Sequence, residues 1–304
     1  MTRPPDRRAF LAASAALAGA WAAPAQDAVP TGLVTGQSDG AAAGNAVLAA
    51  GGNAVDAAVA AALVAGVAAL PLTGIGGYGG HLVLARPDGT TAAIDFNTTA
   101  PAAATAEMFR ADATGRVEGN AHLHGWLSAG VPGVLAGLQL ALDRFGTKRF
   151  PELVAPAARR ARDGFPVTRG AAAAIRAAVP QFARDPGSAK LYLKNGRPLA
   201  EGDTFRNPDL AALLDGLAAN GRVDDFYTGR PAAAIAAAFR ANGGLVTAAD
   251  LAAYRAVEVA PASVEWRGKT VHTPPPTAGG LTVLQALAAL KALGWDRLDA
   301  ADPA

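Results

Sequence analysis

The chain has 304 residues, 51% of them hydrophobic and 17% charged, which predicts a packed core of one large or two modest domains. It contains no cysteine, so disulfide bonds and thiolate catalysis are excluded. The whole chain has 27 basic and 25 acidic side chains, and the first 25 residues contain three of the arginines and one aspartate. The remaining chain therefore has 24 of each and no net charge that would attract nucleic acid or an anionic membrane.

Residues 1–25 are predicted to be a twin-arginine export signal. Arg7-Arg8-Ala9-Phe10-Leu11 has the form of the twin-arginine core, a short apolar run follows, and Ala23-Pro24-Ala25 is a small-x-small cleavage site. A membrane anchor is the alternative, but the apolar run is short and rich in alanine. We therefore expect export to the periplasm or the cell exterior, with no membrane association after the signal is removed.

Two helices are predicted next, Ser38 to Ala50 and Asn53 to Leu70. Asn53 can cap the second helix, and Asp56, three residues on, completes a capping box. Pro71 ends this helix, and a glycine-rich turn follows.

A hairpin and further helices follow the glycine-rich turn. The strands His81 to Arg86 and Thr91 to Asn97 are joined by a turn at Pro87-Asp88-Gly89. Short helices and turns are predicted from Arg169 to Gly243, and a strand-turn-strand around Arg267-Gly268. The other predicted helices are Val134 to Phe145, Phe150 to Asp163, Ala248 to Tyr254 and Leu281 to Leu293.

The segment Gly36-Gln37-Ser38-Asp39-Gly40 matches the G-x-S-x-G nucleophile elbow of serine hydrolases. An elbow needs a strand before it and an oxyanion-hole loop from an earlier strand, and no such strand is predicted here. A helix cap by Ser38 explains the same residues. A serine hydrolase that uses Ser38 therefore stays open as an alternative function.

The run Gly74-Ile75-Gly76-Gly77-Tyr78-Gly79-Gly80 has the glycine content of a phosphate-binding loop. Such a loop needs a following helix whose N-terminus meets the anion, whereas a strand is predicted after this run. We expect a turn where backbones approach closely. His122 and His124 have no carboxylate cluster near them in the sequence, so no metal site is predicted.

Seven motifs, in order along the chain, resemble those of the large subunit of gamma-glutamyltranspeptidases. They cover nearly the whole chain after the signal, and their order makes chance similarity a poor explanation. The motifs are Gly51-Gly52-Asn53-Ala54-Val55-Asp56-Ala57, Gly74-Ile75-Gly76-Gly77, Ala129-Gly130-Val131-Pro132-Gly133, Asp163-Gly164-Phe165-Pro166-Val167, Phe226-Tyr227-x-Gly229, Gly243-Gly244-x-x-Thr247-x-x-Asp250-Leu251-x-x-Tyr254 and Pro275-Pro276-Thr277-Ala278-Gly279-Gly280.

The resemblance implies an α/β (α+β) fold of the N-terminal-nucleophile hydrolase type, with four αββα layers, of which residues 26–304 form a partial domain. It also implies a precursor that cuts itself and exposes a threonine at the N-terminus of a small subunit. That threonine would attack a gamma-glutamyl or related acyl amide, such as glutathione, with its own α-amine as the base. No cofactor and no metal are implied.

The chain departs from the family pattern at two motifs. Where members that act on glutathione usually carry Arg-Glu, this chain has Asn97-Thr98, and where the family usually has two serines it has Thr277-Ala278. The family arginine grips the substrate α-carboxylate, and Asn97 has no charge with which to do so. The resemblance makes Asn97 and Thr98 the substrate-binding candidates and predicts an altered acyl specificity.

The resemblance also predicts that the catalytic threonine and the rest of the small subunit lie beyond Ala304. No catalytic residue is therefore assigned within this chain, and the chain alone is expected to be inactive. Its expected partners are a small-molecule amide and the small subunit of the same precursor. A non-catalytic subunit or binding protein is the remaining alternative.

Overall fold

The computed structural model describes residues 32–274 and 279–297. The predicted export signal and the departure at Thr277-Ala278 lie outside the described residues. The chain divides into two units, Met1–Leu33 and Val34–Ala304, and the features below belong to the second.

Helices are the main regular elements of the described structure, and their bounds agree closely with the sequence prediction. Val134 to Phe145 and Phe150 to Asp163 are observed as predicted, and the first two helices end one and two residues early. In chain order the α-helices are Ser38–Ala49 (α1), Ala54–Ala68 (α2), Val134–Phe145 (α3), Phe150–Asp163 (α4), Arg169–Ala177 (α5), Val179–Phe182 (α6), Pro186–Tyr192 (α7), Pro208–Asn220 (α8), Asp224–Thr228 (α9), Arg230–Ala241 (α10), Ala248–Ala253 (α11) and Gly280–Ala292 (α12).

The predicted capping box of α2 is confirmed. The side chain of Asn53 accepts hydrogen bonds from the amides of Val55 and Asp56, and the Asp56 carboxylate accepts one from the Asn53 amide. The predicted cap of α1 by Ser38 is wrong. Gln37 caps that helix instead, with its side-chain oxygen 2.6 Å from the amide of Gly40.

The predicted hairpin forms one side of a three-stranded antiparallel sheet. His81–Ala85 (β1) pairs with Thr91–Asp95 (β2), and β2 pairs on its other edge with Val257–Val259 (β7). The sequence did not predict β7, because three residues are too few for an alternating pattern to be recognised. In the hairpin register, His81 stands opposite Asp95.

The remaining strands are short. Ala262–Trp266 (β8) and Lys269–Thr273 (β9) form the predicted hairpin, and Arg267 and Gly268 both have positive φ at its turn. The segment Gly164 to Val167 follows the end of α4. In the structure it contains one of four two-residue strands, Phe165–Pro166 (β3), Leu193–Lys194 (β4), Arg197–Pro198 (β5) and Thr204–Phe205 (β6).

The core joins α2, α3, α4 and α8, and α3 also packs against β2 of the three-stranded sheet. Its largest fully buried side chains include Leu63, Ile94, Leu135, Leu153, Leu214 and, from α11, Leu251. Within the described ranges, no helix is long and apolar enough to cross a membrane.

Candidate functional site

The candidate substrate-binding residues lie in the segment Phe96–Thr99, directly after β2. Backbone hydrogen bonds tie this segment to the glycine-rich turn, because Phe96 and Gly80 exchange a pair of them and the amide of Thr98 donates to the carbonyl of Tyr78 over 2.8 Å. On the other side, Thr99 and Val131 exchange a second pair. Two of the glycine-rich motifs therefore hold one short piece of backbone between them.

Close approach explains the glycines at two of these contacts. A Cβ atom at Gly79, where φ is +98°, would lie 2.3 Å from the carbonyl oxygen of Phe96. At Gly133 a Cβ atom would lie 2.1 Å from that same oxygen and 2.1 Å from the hydroxyl of Tyr254. Both distances are shorter than real contacts, so side chains at these positions would displace the segment.

Two stacked tyrosines complete the support of the segment. The rings of Tyr227 and Tyr254 are 5.8 Å apart and nearly parallel. The hydroxyl of Tyr254 donates to the carbonyl of Asn97 over 2.7 Å, and that of Tyr227 donates to the carbonyl of Pro132 and accepts from the amide of Ala136, each over 3.0 Å. The tyrosines thus connect α9 and α11 with the backbone of the candidate site.

Burial keeps both tyrosines protonated. Burial, assisted by the negative charge of Asp95, raises the pKa of Tyr254 to about 12. Burial also raises the pKa of Tyr227 well above its ordinary value, although its hydrogen bond with the amide of Ala136 opposes the shift. At neutral pH both hydroxyls are therefore hydrogen-bond donors and act as neutral supports.

Asp95 joins the candidate site to the sheet. One of its carboxylate oxygens accepts a hydrogen bond from the amide of Asn97 over 3.0 Å, and the same oxygen lies 3.3 Å from Nε2 of His81 on the neighbouring strand. Both side chains are largely buried. The amide and the carbonyl of Asn97 are thus each held by a side chain, Asp95 on one side and Tyr254 on the other.

Asn97 and Thr98 present different chemistry. The hydroxyl of Thr98 donates to the carbonyl of Val131 over 2.8 Å, so its proton is used in holding the two loops together. Asn97 is half-buried, and its side chain is an uncharged amide that can both donate and accept hydrogen bonds. The ionisable side chains that hydrogen-bond the backbone of Asn97 are Asp95 and Tyr254, and neither is a cation at neutral pH.

A cavity of about 540 Å³ borders the segment on the side of the glycine-rich turn. We call it the turn cavity. Its walls come from α2, from α3 and from the turn itself, and Phe96 and His81 form the side nearest the candidate site. Asn97 and Thr98 are not among the residues that line it.

The other predicted site residues lie apart from this segment. Ser38 is exposed in the first turn of α1, and no strand precedes it among residues 32–37, so the structure lacks the strand that a nucleophile elbow requires. His122 and His124 are exposed in the loop before Val131. Within the part of the chain that the structure describes, no group of three or more His, Cys, Asp or Glu side chains is placed to hold a metal.

Sequence reasoning did not assign a role to Tyr227, Tyr254, His81 or Asp95. The two tyrosines stood in motifs that resembled the family, but local patterns contain no information about a contact between residues 157 positions apart. The pairing of His81 with Asp95 follows from the predicted hairpin, because a turn at Pro87-Asp88-Gly89 places these residues opposite each other.

Comparison with known proteins confirms the family resemblance. The family model described as Gamma-glutamyltranspeptidase matches residues 40–303. Glutathione hydrolase proenzyme of Escherichia coli (strain K12) is 41% identical over 213 residues, which are 69% of this chain and 36% of that protein. Acylase ACY 1 proenzyme of Pseudomonas sp. (strain SE83) is 38% identical over 228 residues, 73% of this chain and 40% of that protein. The chain therefore spans less than half the length of these curated relatives.

Solved structures give the same result for the fold. Gamma-glutamyltranspeptidase of Helicobacter pylori matches with a TM-score of 0.82 and 33% identity over 89% of this chain and 76% of that chain. Gamma-glutamyltranspeptidase of Pseudomonas nitroreducens, complexed with L-DON, matches with a TM-score of 0.78 and 34% identity over 90% of this chain and 80% of that chain. Cephalosporin acylase of Bacillus halodurans matches with a TM-score of 0.73 and 30% identity over 83% of this chain and 47% of that chain. These matches confirm the expected N-terminal-nucleophile hydrolase fold class.

Proposed function

This chain belongs to the gamma-glutamyltranspeptidase family, and on that premise we propose that it forms one wall of a site for amide hydrolysis or acyl transfer. The observation that supports this proposal most directly is the segment Phe96–Thr99. Glycine-rich motifs from two parts of the chain, together with Tyr254, hold its backbone in one position. A rigid support of this kind suits a segment that must present a side chain to a substrate.

We propose that the nucleophile is a threonine at the N-terminus of a small subunit cut from the same precursor. Its hydroxyl would attack the acyl carbon while its α-amine takes the proton. The C–N bond of the amide would then break, the amine would leave with a proton, and water or a second amine would release the acyl group. The two curated relatives described above are both named proenzymes, which supports a processed precursor.

The chain alone is proposed to be inactive, because that threonine lies outside it. Sequencing the gene past codon 304 tests this directly. We expect a continuous reading frame and, after expression, two polypeptides whose smaller member begins with threonine by mass spectrometry. A stop codon at that position, with no neighbouring gene for the threonine, would instead favour a non-catalytic subunit or binding protein.

The acyl specificity is proposed to differ from that of glutathione hydrolases. A gamma-glutamyl group carries an α-carboxylate, and recognition of a carboxylate is strongest with a bidentate arginine. Here the corresponding residue is the uncharged Asn97, and the nearest carboxylate, that of Asp95, would repel a second one. The similarity to an acylase and to a cephalosporin acylase supports an acyl group other than gamma-glutamyl.

Asn97→Arg in the processed protein tests this specificity. We expect the wild-type protein to hydrolyse uncharged acyl p-nitroanilides faster than gamma-glutamyl-p-nitroanilide. The arginine is expected to raise kcat/KM for the gamma-glutamyl substrate about tenfold, since a charged hydrogen bond contributes roughly 1.5–3 kcal/mol. Asn220→Arg, at the exposed end of α8, is the matched control and should change neither rate. A wild-type preference for gamma-glutamyl-p-nitroanilide would contradict the proposal.

Export by the twin-arginine route is proposed on the sequence of residues 1–25 alone. Arg7→Lys with Arg8→Lys should retain the protein in the cytoplasm with its full N-terminus. The wild-type protein should be found outside the inner membrane and should begin near Gln26. Equal distribution of the two proteins between the fractions would refute the route.

A further inference from the structure

The turn cavity is built like a binding site for a small apolar group. Its volume of about 540 Å³ lies within the usual range for ligand pockets, roughly 300–1,000 Å³. Apolar atoms of Ala62, Val134, Leu138 and Phe96 form much of its wall. Two α-helices support these residues, so the wall is held by the core of the protein.

The charge of the wall restricts what the cavity can hold. Among the described residues that line it there is no Asp, Glu, Lys or Arg, and His81 and Tyr78 are the polar side chains with a ring. Apart from His81, which contacts Asp95, none of these lining side chains could pair with a buried carboxylate or ammonium group, and an unpaired buried charge is costly. The cavity is therefore suited to an uncharged group.

The cavity shares its turn and Phe96 with the candidate site. The turn that forms its floor is the same turn that holds the segment Phe96–Thr99, through the hydrogen bonds of Gly80 with Phe96 and of Tyr78 with Thr98. His81, on its wall, contacts Asp95, which in turn holds the amide of Asn97. Phe96, which lines the cavity, directly precedes Asn97 in the chain, so the cavity and the candidate residue are close neighbours.

A cavity on another face differs in these respects. About 340 Å³ in volume, it lies beside α3 and α9 and is lined by Arg222 together with Asp143 and Asp224. Arg222 donates hydrogen bonds to both carboxylates, so the wall of this cavity is made of paired charged groups. Of these two cavities, the turn cavity has the apolar wall, and its turn hydrogen-bonds the candidate segment.

We propose that the turn cavity binds the acyl group of the substrate and that this group is uncharged and largely hydrocarbon, such as an arylacetyl or a medium-chain alkanoyl group. The proposal rests on the amide-hydrolase function proposed above and names its substrate class. Asn97 would then hydrogen-bond the amide end of the substrate, and the cavity would select the acyl group by size.

A leucine at Gly66 provides the test, because this residue lies in α2 on the cavity wall. The three atoms nearest to a Cβ there belong to Ile75 and Gly74 in the turn, at 3.6 to 3.9 Å, so a side chain begins at ordinary van der Waals distance beside the cavity. Leucine also favours a helix more than glycine does. Gly216→Leu is the matched control, since Gly216 lies in α8 with open space around it.

The processed protein is assayed with phenylacetyl-p-nitroanilide and with acetyl-p-nitroanilide. Gly66→Leu is expected to lower the ratio of the two kcat/KM values at least tenfold, and Gly216→Leu to leave it unchanged. A general loss of folding would lower both rates together and would not change the ratio. An unchanged ratio in Gly66→Leu would overturn the proposal. Ala62→Leu, on the same wall, should repeat the result.

Binding decides the proposal even where no anilide is hydrolysed. Phenylacetamide is added to the wild-type protein and to both variants, and its binding is measured by saturation-transfer NMR. Binding that is present in the wild type and Gly216→Leu but lost in Gly66→Leu supports the cavity, whatever the fate of the amide-hydrolase function. Absence of binding to the wild type, or equal binding to all three proteins, overturns it.

Discussion

Two parts of this protein, the buried carboxylate of Asp56 and the segment Phe96–Thr99, are held in opposite ways. Asp56 is completely buried and accepts four hydrogen bonds, from the amide of Asn53, from the amide and hydroxyl of Thr147 and from the amide of Lys148. The segment Phe96–Thr99 is held mostly through its own backbone, by the backbone of neighbouring loops, the hydroxyl of Tyr254 and the carboxylate of Asp95. At Asp56 the polar contacts converge on one side chain. In the segment Phe96–Thr99 they fix the backbone, and the side chain of Asn97 is an uncharged amide.

The difference shows that a shifted pKa does not by itself identify a functional site. Burial raises the pKa of Asp56, but the hydrogen bonds from Thr147, Lys148 and Asn53 outweigh it, and the pKa lies below its ordinary value. This carboxylate joins the start of α2 to the loop between α3 and α4, which is a structural task. Structural networks shift pKa values as active sites do, so the geometry of the site has to decide.

The largest effect is expected from Asp56→Ala. The substitution removes the Asp56 half of the capping box of α2 and leaves the amides of Asn53, Thr147 and Lys148 without their acceptor. We expect a loss of about 4 kcal/mol in the free energy of unfolding, since each unsatisfied buried donor costs roughly 1–3 kcal/mol and the effects overlap. Chemical denaturation of the purified protein measures it. A loss below about 1 kcal/mol would contradict a structural role for this carboxylate.

The pH dependence of stability tests whether the charge of the Asp56 carboxylate stabilises the fold. Because the pKa of Asp56 is lowered on folding, its contribution to stability is complete above the unfolded pKa, about 3.9, and is lost as the pH falls through the folded pKa. The difference in Tm between the wild type and Asp56→Asn should therefore narrow as the pH is lowered from 7 towards 2. A difference that stays constant would show that the charge of Asp56 is not involved.

Gly133→Ala is expected to displace the segment Phe96–Thr99. The new Cβ atom would meet the carbonyl oxygen of Phe96 and the hydroxyl of Tyr254, so the segment must move. We expect a loss of about 3 kcal/mol, as for other overpacked positions, together with loss of amide hydrolysis in the processed protein. Gly216→Ala, in an open helical position, should instead be neutral or slightly stabilising. Full activity in Gly133→Ala would show that the reaction does not depend on the position of the segment Phe96–Thr99.

Tyr254→Phe removes a single hydrogen bond from the segment and keeps the stacking on Tyr227. The expected loss is about 1 kcal/mol of stability. Because the pKa of Tyr254 is raised to about 12, its contribution is complete below pH 10, about the unfolded value, and is lost as the pH rises through 12. Tyrosinate absorbance during an alkaline titration checks this, and one group fewer should ionise near pH 12 in the variant.

The smallest effect is expected at a surface ion pair that belongs to neither region. Nζ of Lys190 lies 2.8 Å from a carboxylate oxygen of Asp209, and the two side chains are 68% and 76% exposed. Lys190→Ala should change the free energy of unfolding by no more than about 0.5 kcal/mol, since water and salt screen such pairs. A loss comparable with that of Asp56→Ala would mean that exposed charges matter more here than burial does.

Much of the fold could be predicted from local patterns. The helices Val134–Phe145 and Phe150–Asp163, the hairpin after the glycine-rich turn and the capping box at Asn53 were all predicted, since each depends on residues close together in sequence. The cap at Ser38 was wrong, because Gln37 reaches the amide of Gly40 with a longer side chain. Val257–Val259 was missed, because its strand character comes only from pairing with β2.

By itself, the amino-acid sequence determined the family, the positions of most helices and the candidates Asn97 and Thr98, because motifs, caps and turns act over a few residues. Only the tertiary structure decided how the candidate segment is held. It brought Tyr254 to the carbonyl of Asn97 and placed Gly133 against Phe96. The packing of helices on the sheet also produced the turn cavity, since its walls come from residues 62 to 138, which meet only when the chain is folded.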